Sequence, residues 1–288
     1  MTSPPPPGDW SWKAKDGAAG RLLYEPGNWG DLLKASWIAA VLGGLLDAFG
    51  PGQARALDVF AGAPDYPLSA ASAARARRVG AGDFVAALAP HLERGRWPGS
   101  AALMAEIIAS ARARKGSPPD PEPAVAVFDA DVERRLALAA DGRFGMLEHH
   151  DGYDALAGAF DLGPAGLALV DPYDLLADWR RALPALAARG RTATALVYVH
   201  NRSGRGREAL REYRAFRAAL AEARAGAPLL VGRIPADPFL PTAWHEMIWL
   251  PGERAREAPG LEAGTRKLLE LATWRWDEAS RRAACLEE

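Results

Sequence analysis

Short apolar runs and longer one-sided stretches alternate along most of this chain. The short runs cover residues 55–60, 124–128, 144–148, 166–170, 192–199, 228–233 and 243–250. Each is bounded by charged or turn-forming residues, and their near-continuous apolarity predicts strands covered on both faces. The longer stretches repeat apolar positions at helical spacing. Residues 31–49 predict a helix that Asp31 can cap and Gly50-Pro51 stop, with Leu32, Leu33, Trp37 and Val41 on its buried side. Helical patterns also cover 69–78 and 83–94, and 100–114 predicts a helix capped by Ser100. Seven strands separated by helices predict an α/β fold with a doubly wound, mostly parallel sheet. Ligand sites in such sheets lie at the carboxyl ends of the strands.

The spacing is uneven in two places. Residues 1–20 hold four prolines and several glycines, which exclude a helix and predict a flexible arm. Residues 64–97 are rich in Ala and Arg and exceed what a crossover after the first strand needs, so a helical insertion is expected there. The remainder, 21–288, reads as one large domain that includes this insertion.

Composition narrows the class. The chain has 288 residues, 49% hydrophobic and 25% charged, enough for a full core. A net charge of −1 argues against a surface that is basic throughout and leaves room for a local basic patch. Cys285 stands alone, so no internal disulfide can form, as expected in a reducing cytoplasm. Pro4 to Pro7 stand where the apolar core of a secretory signal would be. The apolar stretch 35–46 is interrupted by Ser36 and Gly43-Gly44 and falls short of the roughly 20 residues of a membrane span. A soluble cytoplasmic protein with no membrane partner, monomeric or weakly dimeric, is expected.

Candidate chemistry sits at the strand ends. Leu57-Asp58-Val59-Phe60-Ala61-Gly62-Ala63 and Gly166-Leu167-Ala168-Leu169-Val170-Asp171-Pro172-Tyr173 are apolar runs that stop abruptly in or around an acid and small or rigid residues. Asp129 ends the second strand, and Asp151-Gly152-Tyr153 follows the third. Singly these have plainer readings: a tight turn, a helix cap, a turn residue and a strand terminator. Together they place four acids at four successive strand ends. The two longer segments, in this order, resemble a class I S-adenosylmethionine (SAM) methyltransferase. Such a cofactor needs close backbone approach, a carboxylate for its ribose, a polar anchor for its adenine and acids near its sulfonium. The Asp58-to-Gly62 loop, Asp129, Asp151 with Gly152, and Asp171 are candidates for these four tasks in turn.

The order of motifs resembles the RlmJ (ComJ-like) family of large-subunit ribosomal RNA adenine-N6 methyltransferases, from about Tyr24 to Leu250. Pro26-Gly27-Asn28-Trp29-Gly30-Asp31-Leu32-Leu33-Lys34 is similar to its amino-terminal segment, and Trp97-Pro98-Gly99-Ser100 to its Tyr-Pro-Gly-Ser. Asp129 falls on its ribose-binding Glu, and Asp151-Gly152-Tyr153 on its Asp-Gly-Phe. Asp171-Pro172-Tyr173 falls on its catalytic Asp-Pro-Pro-Tyr, one proline shorter. The resemblance implies a seven-stranded SAM methyltransferase fold and a pocket lined by Lys34, Phe60, Gly62, Ser100, Asp129 and Asp151. It implies that Asp171 and the Pro172 carbonyl accept hydrogen bonds from an adenine amine while Tyr173 packs on the base. Asn28 and Asp174 are candidate substrate contacts. Asp174 suits a cationic or amino substrate better than a phosphate, so a small amine stays open beside RNA. A SAM-fold scaffold without activity also stays open.

Other features add less. Asn201-Arg202-Ser203-Gly204-Arg205-Gly206-Arg207 follows the fifth strand, and its Arg202 and Arg205 could hold a substrate anion. The adjacent His149 and His150 would point to opposite sides, so no metal site is expected. No serine stands in a nucleophile elbow.

Overall fold

The structure, a computed structural model, describes residues 26–78, 86–117, 122–149, 151–158, 162–172, 174–201, 206–224, 230–235, 244–261 and 263–264. Each of the seven apolar runs forms a strand of one sheet. In chain order, with two further strands outside that sheet, they are β1 (Ala56–Asp58), β2 (Asp65–Pro67), β3 (Arg96–Pro98), β4 (Val125–Val127), β5 (Phe144–Met146), β6 (Leu167–Val170), β7 (Thr194–Asn201), β8 (Leu230–Pro235) and β9 (Trp244–Leu250). The sheet order is β5-β4-β1-β6-β7-β9-β8. Strands β5 to β7 in that order run parallel, and β9 runs antiparallel between β7 and β8. This is the seven-stranded class I SAM-dependent methyltransferase fold.

Successive strand residues feed two cores, as the two-residue pleat requires. Val125, Val127, Leu167, Leu169 and Leu196 join one cluster with Trp37, Leu42 and Met104. Leu57, Ala126, Ala168, Val170 and Val197 join another with Leu175, Leu186 and Phe216. Helices α1 (Trp29–Phe49) and α4 (Ser100–Arg114) cover the first face. Helices α6 (Gly152–Ala157), α7 (Leu175–Thr192) and α8 (Gly206–Ala223) cover the second.

Helix α1 departs from its sequence reading in two ways. Its cap is Asn28, whose side chain accepts from the Asp31 N–H at 3.1 Å; Asp31 lies one turn in and accepts from the Gly27 N–H at 2.9 Å. Ser36 and Gly43-Gly44 do not break it, so its 21 residues are long and apolar enough to cross a membrane by length and composition. Its Leu32, Trp37, Ile38, Leu42 and Leu45 are instead buried in the first core. Trp37 lies on β8 where Gly232 leaves room, since a Cβ there would stand 2.4 Å from the indole.

Between β1 and α4 the chain forms β2, α2 (Ala70–Arg78), a 3-10 turn at Ala86–Leu88, α3 (Ala89–Glu93) and β3. Of the helix expected over 83–94, residues 83–85 lie outside the described residues, 86–88 form the 3-10 turn, and Pro90 stands in the first turn of α3. Strands β2 and β3, which the helical reading of this stretch did not anticipate, pair antiparallel with Tyr66 opposite Trp97. Arg96 clamps Asp65 through two hydrogen bonds of 2.8 and 2.7 Å.

Candidate active site

Strand β1 is buried along its whole length, and its last residue, Asp58, is completely enclosed. The carboxylate accepts from the Ser100 hydroxyl at 2.5 Å and from the Phe60 N–H at 3.3 Å. Ser100 is therefore not the expected cap of α4: Gly99 takes that position without a side-chain bond, and the serine hydroxyl turns to Asp58. Burial pushes the Asp58 carboxyl up to about 7, against the pull of the Ser100 hydrogen bond; nearby Asp171 pushes the same way as burial.

After Asp58 the chain swings into a loop bound to β4. The Ala61 N–H donates to the Phe128 carbonyl at 3.1 Å, and the Gly62 N–H donates to Asp129 at 2.9 Å. Gly62 has φ +68°, and a Cβ there would stand 2.3 Å from the Tyr66 hydroxyl. Tyr66 in turn accepts from the Ala63 N–H at 2.8 Å, and burial pushes its phenol up to about 12. Asp129 is buried; it also accepts from the Asp131 N–H at 2.8 Å and pairs with Arg134 at 3.2 Å. Asp131, not Asp129, caps α5 (Val132–Asp141).

The segment after β5 packs edge-on against this loop. A Cβ on Gly152 would stand 2.5 Å from the Val59 carbonyl oxygen, and Tyr153 meets the Phe60 ring at 5.2 Å. Asp151 caps α6, accepting from the N–H groups of Tyr153 and Asp154 at 2.8 and 2.9 Å, and pairs with Arg181. Its partial burial works to raise the carboxyl; those backbone donors and Arg181 outweigh it and hold it below its ordinary range.

At the end of β6, Asp171 meets Lys34 of α1 at 2.5 Å, and Lys34 also reaches Asp31 at 3.1 Å. Burial would lower the Lys34 ammonium, but Asp171 and then Asp31 hold it well above its usual value, so it stays charged. Burial raises Asp171 against the pull of Lys34. The ammonium lies 4.9 Å from the ring centre of Tyr198, whose hydroxyl bonds His245 Nδ1 at 2.5 Å. Burial, with His200 and Lys34 nearby, lowers His245 to about 3 and keeps it neutral.

Lys34, Asp58, Phe60, Gly62, Ser100, Asp129, Asp151, Gly152 and Asp171 thus converge at one edge of the sheet, and Pro172 is buried directly after Asp171. Asn28 and Asp174 are caps, of α1 and α7. Tyr173, Arg202, Arg205 and His150 lie outside the described residues. Sequence reasoning missed Asp31, Tyr66, Tyr198 and His245 as members of the site. No sequence mark singles out Tyr198 or His245, because β7 also carries Thr194, His200 and Asn201 and β9 also carries Glu246. Among the described residues no group of three or more His, Cys, Asp or Glu is placed to hold a metal ion.

The solved structure of protein LPL1258 from Legionella pneumophila str. Philadelphia 1, described by the family model DUF519, shares 13% identity with this chain at a TM-score of 0.58. The match covers 86% of this chain and 92% of that one. It shows a common fold. A structure provisionally described as an O-methyltransferase from Klebsiella pneumoniae shares 16% identity at a TM-score of 0.28, covering 52% of this chain and 69% of that one. No protein-family model and no curated protein matches the sequence.

Proposed function

We propose that the chain is a SAM-dependent N-methyltransferase. The observation that carries this reading is the convergence of Asp58, Gly62, Asp129 and the Lys34–Asp171 pair at the carboxyl edge of β1, β4 and β6. The residues fit the cofactor. Gly62 and Gly152 let the loops after β1 and β5 pack tightly, against Tyr66 and against Val59 and Phe60, and buried carboxylates stand where a cationic ligand would be welcome. SAM bound there would supply a methyl group activated by its sulfonium. Gly62 and Ala63 would give close backbone approach, Asp129 would face the ribose, and Asp151 with Gly152 would border the adenine.

Asp171 and the Pro172 carbonyl would receive the acceptor amine. Two acceptors aimed at the amine protons localise its lone pair and direct it towards the methyl, which is catalysis by positioning and electrostatics. Lys34 holds Asp171 in place. Adenine N6 of RNA is the acceptor that the Asp171-Pro172 segment implies by its family resemblance.

Calorimetric titration with SAM tests the cofactor half: micromolar binding is expected, lost on Asp129→Ala. Asp171→Ala should keep SAM binding and abolish methyl transfer to RNA transcripts. Unchanged turnover would remove Asp171 from the chemistry. RNA binding should weaken steeply with salt; a salt-independent response to a small amine would replace RNA with that amine.

A further inference from the structure

The acids of the site are unequally provided with cations. Asp129 has Arg134, Asp151 has Arg181, and Asp171 and Asp31 share Lys34. Asp58 is fully enclosed, and the groups bonded to it are neutral, the Ser100 hydroxyl of α4 and the Phe60 N–H of its own loop. Around it stand Asp171 at the end of β6, Lys34 of α1 bound to Asp171 and Asp31, and Asp129 at the end of β4 bound to the Gly62 N–H. An enclosed carboxylate with neutral donors and a second carboxylate nearby is costly to keep ionised.

We propose that the Asp58–Ser100 pair holds a proton in the free protein and releases it when a cationic cofactor enters, so that SAM binding is coupled to the loss of one proton. The inference rests on the SAM reading above. The O–H bond of the Asp58 carboxyl breaks, its proton passes to the solvent buffer, and the carboxylate left behind faces a positive ligand. Carboxylate and cation then offset each other's desolvation, which neither could do alone. The burial that raises the carboxyl towards neutrality agrees with this. SAM affinity should rise by up to about tenfold per pH unit on the acid side of neutrality and level off above it.

The test is calorimetric titration of the full chain with SAM near neutral pH, in two buffers of very different ionisation heat, such as phosphate and imidazole. A large fraction of one proton per SAM is expected from the wild type at slightly acid pH, falling towards zero in alkali. Asp58→Asn, which lacks the carboxylate that faces the cation, should bind SAM more weakly and lack that release. The α-amino group of SAM titrates near this range, but its contribution is the same in both proteins and cancels in the difference. Ser100→Ala gives an independent check, because losing the hydroxyl should move the release to higher pH. Equal heats in both buffers for the wild type, or equal release from Asp58→Asn, would overturn the coupling while leaving the cofactor site intact. No SAM binding by the wild type would overturn the cofactor reading and the coupling with it.

Discussion

Gly62 combines two requirements that a larger residue cannot meet together. Its φ of +68° is a left-handed conformation, and its missing Cβ leaves room for the Tyr66 hydroxyl, which would stand 2.3 Å from that atom. Gly62→Ala should destabilise the protein by about 1–3 kcal/mol and weaken SAM binding. Tyr66→Phe removes the acceptor of the Ala63 N–H and should cost about 1 kcal/mol. The double variant should be less damaged than the sum, because the phenylalanine relieves the clash. Denaturant midpoints of the four proteins check this, and strict additivity would remove the clash as the cause. The four strand-end acids were legible in sequence because each lies within or shortly after a short apolar run. Tyr66, Tyr198 and His245 were not. They reach the site from an insertion and from strands far along the chain, and a linear pattern does not carry distances across a sheet.

Elements were easier to read than their ends. The apolar runs located all seven strands of the main sheet, yet β1, β4 and β5 each span three residues. Apolarity continues beyond the ladder because the loops that follow are themselves buried, as Val59 and Ala61 are. Strands β2 and β3 escaped notice because Asp65-Tyr66-Pro67 has neither alternation nor a strand-like composition. At the start of α1 two side-chain acceptors stand within reach of the free N–H groups, and Asn28 is the one that caps the helix. Asn28→Ala should therefore cost about 1 kcal/mol, with a loss of SAM affinity because Lys34 rides on the second turn. Thermal unfolding together with SAM titration would show both effects; full stability in the alanine variant would return the capping role to another residue.

For the molecule as a whole, the enclosed Asp58 and the partly buried His245 set opposing responses to pH. The folded protein keeps the Asp58 carboxyl protonated up to about 7. Between its unfolded value and there, folded protein binds the extra proton, and stability falls as pH rises, by at most about 1.4 kcal/mol per unit. His245 is held neutral down to about 3. Below its unfolded value the unfolded chain binds the extra proton, and stability falls as pH drops. In mildly acid solution the two slopes oppose each other. Asp58→Asn should tilt the profile of stability against pH towards alkali, and His245→Gln towards acid. Urea titrations across this range measure both tilts, and parallel profiles for all three proteins would show that neither group titrates as its surroundings dictate.

The antiparallel strand has a consequence for how the protein is made. Strand β9 bonds β7 on one side and β8 on the other, and both precede it in the chain. While a ribosome is still short of Trp244, β7 has an open flank and β8 has no neighbour in the sheet. Unpaired edges of this kind invite association with other nascent chains. Synthesis must deliver Leu250 clear of the exit tunnel before the sheet can close, so this protein completes its fold late, with its last strand entering as a wedge between two that have waited for it.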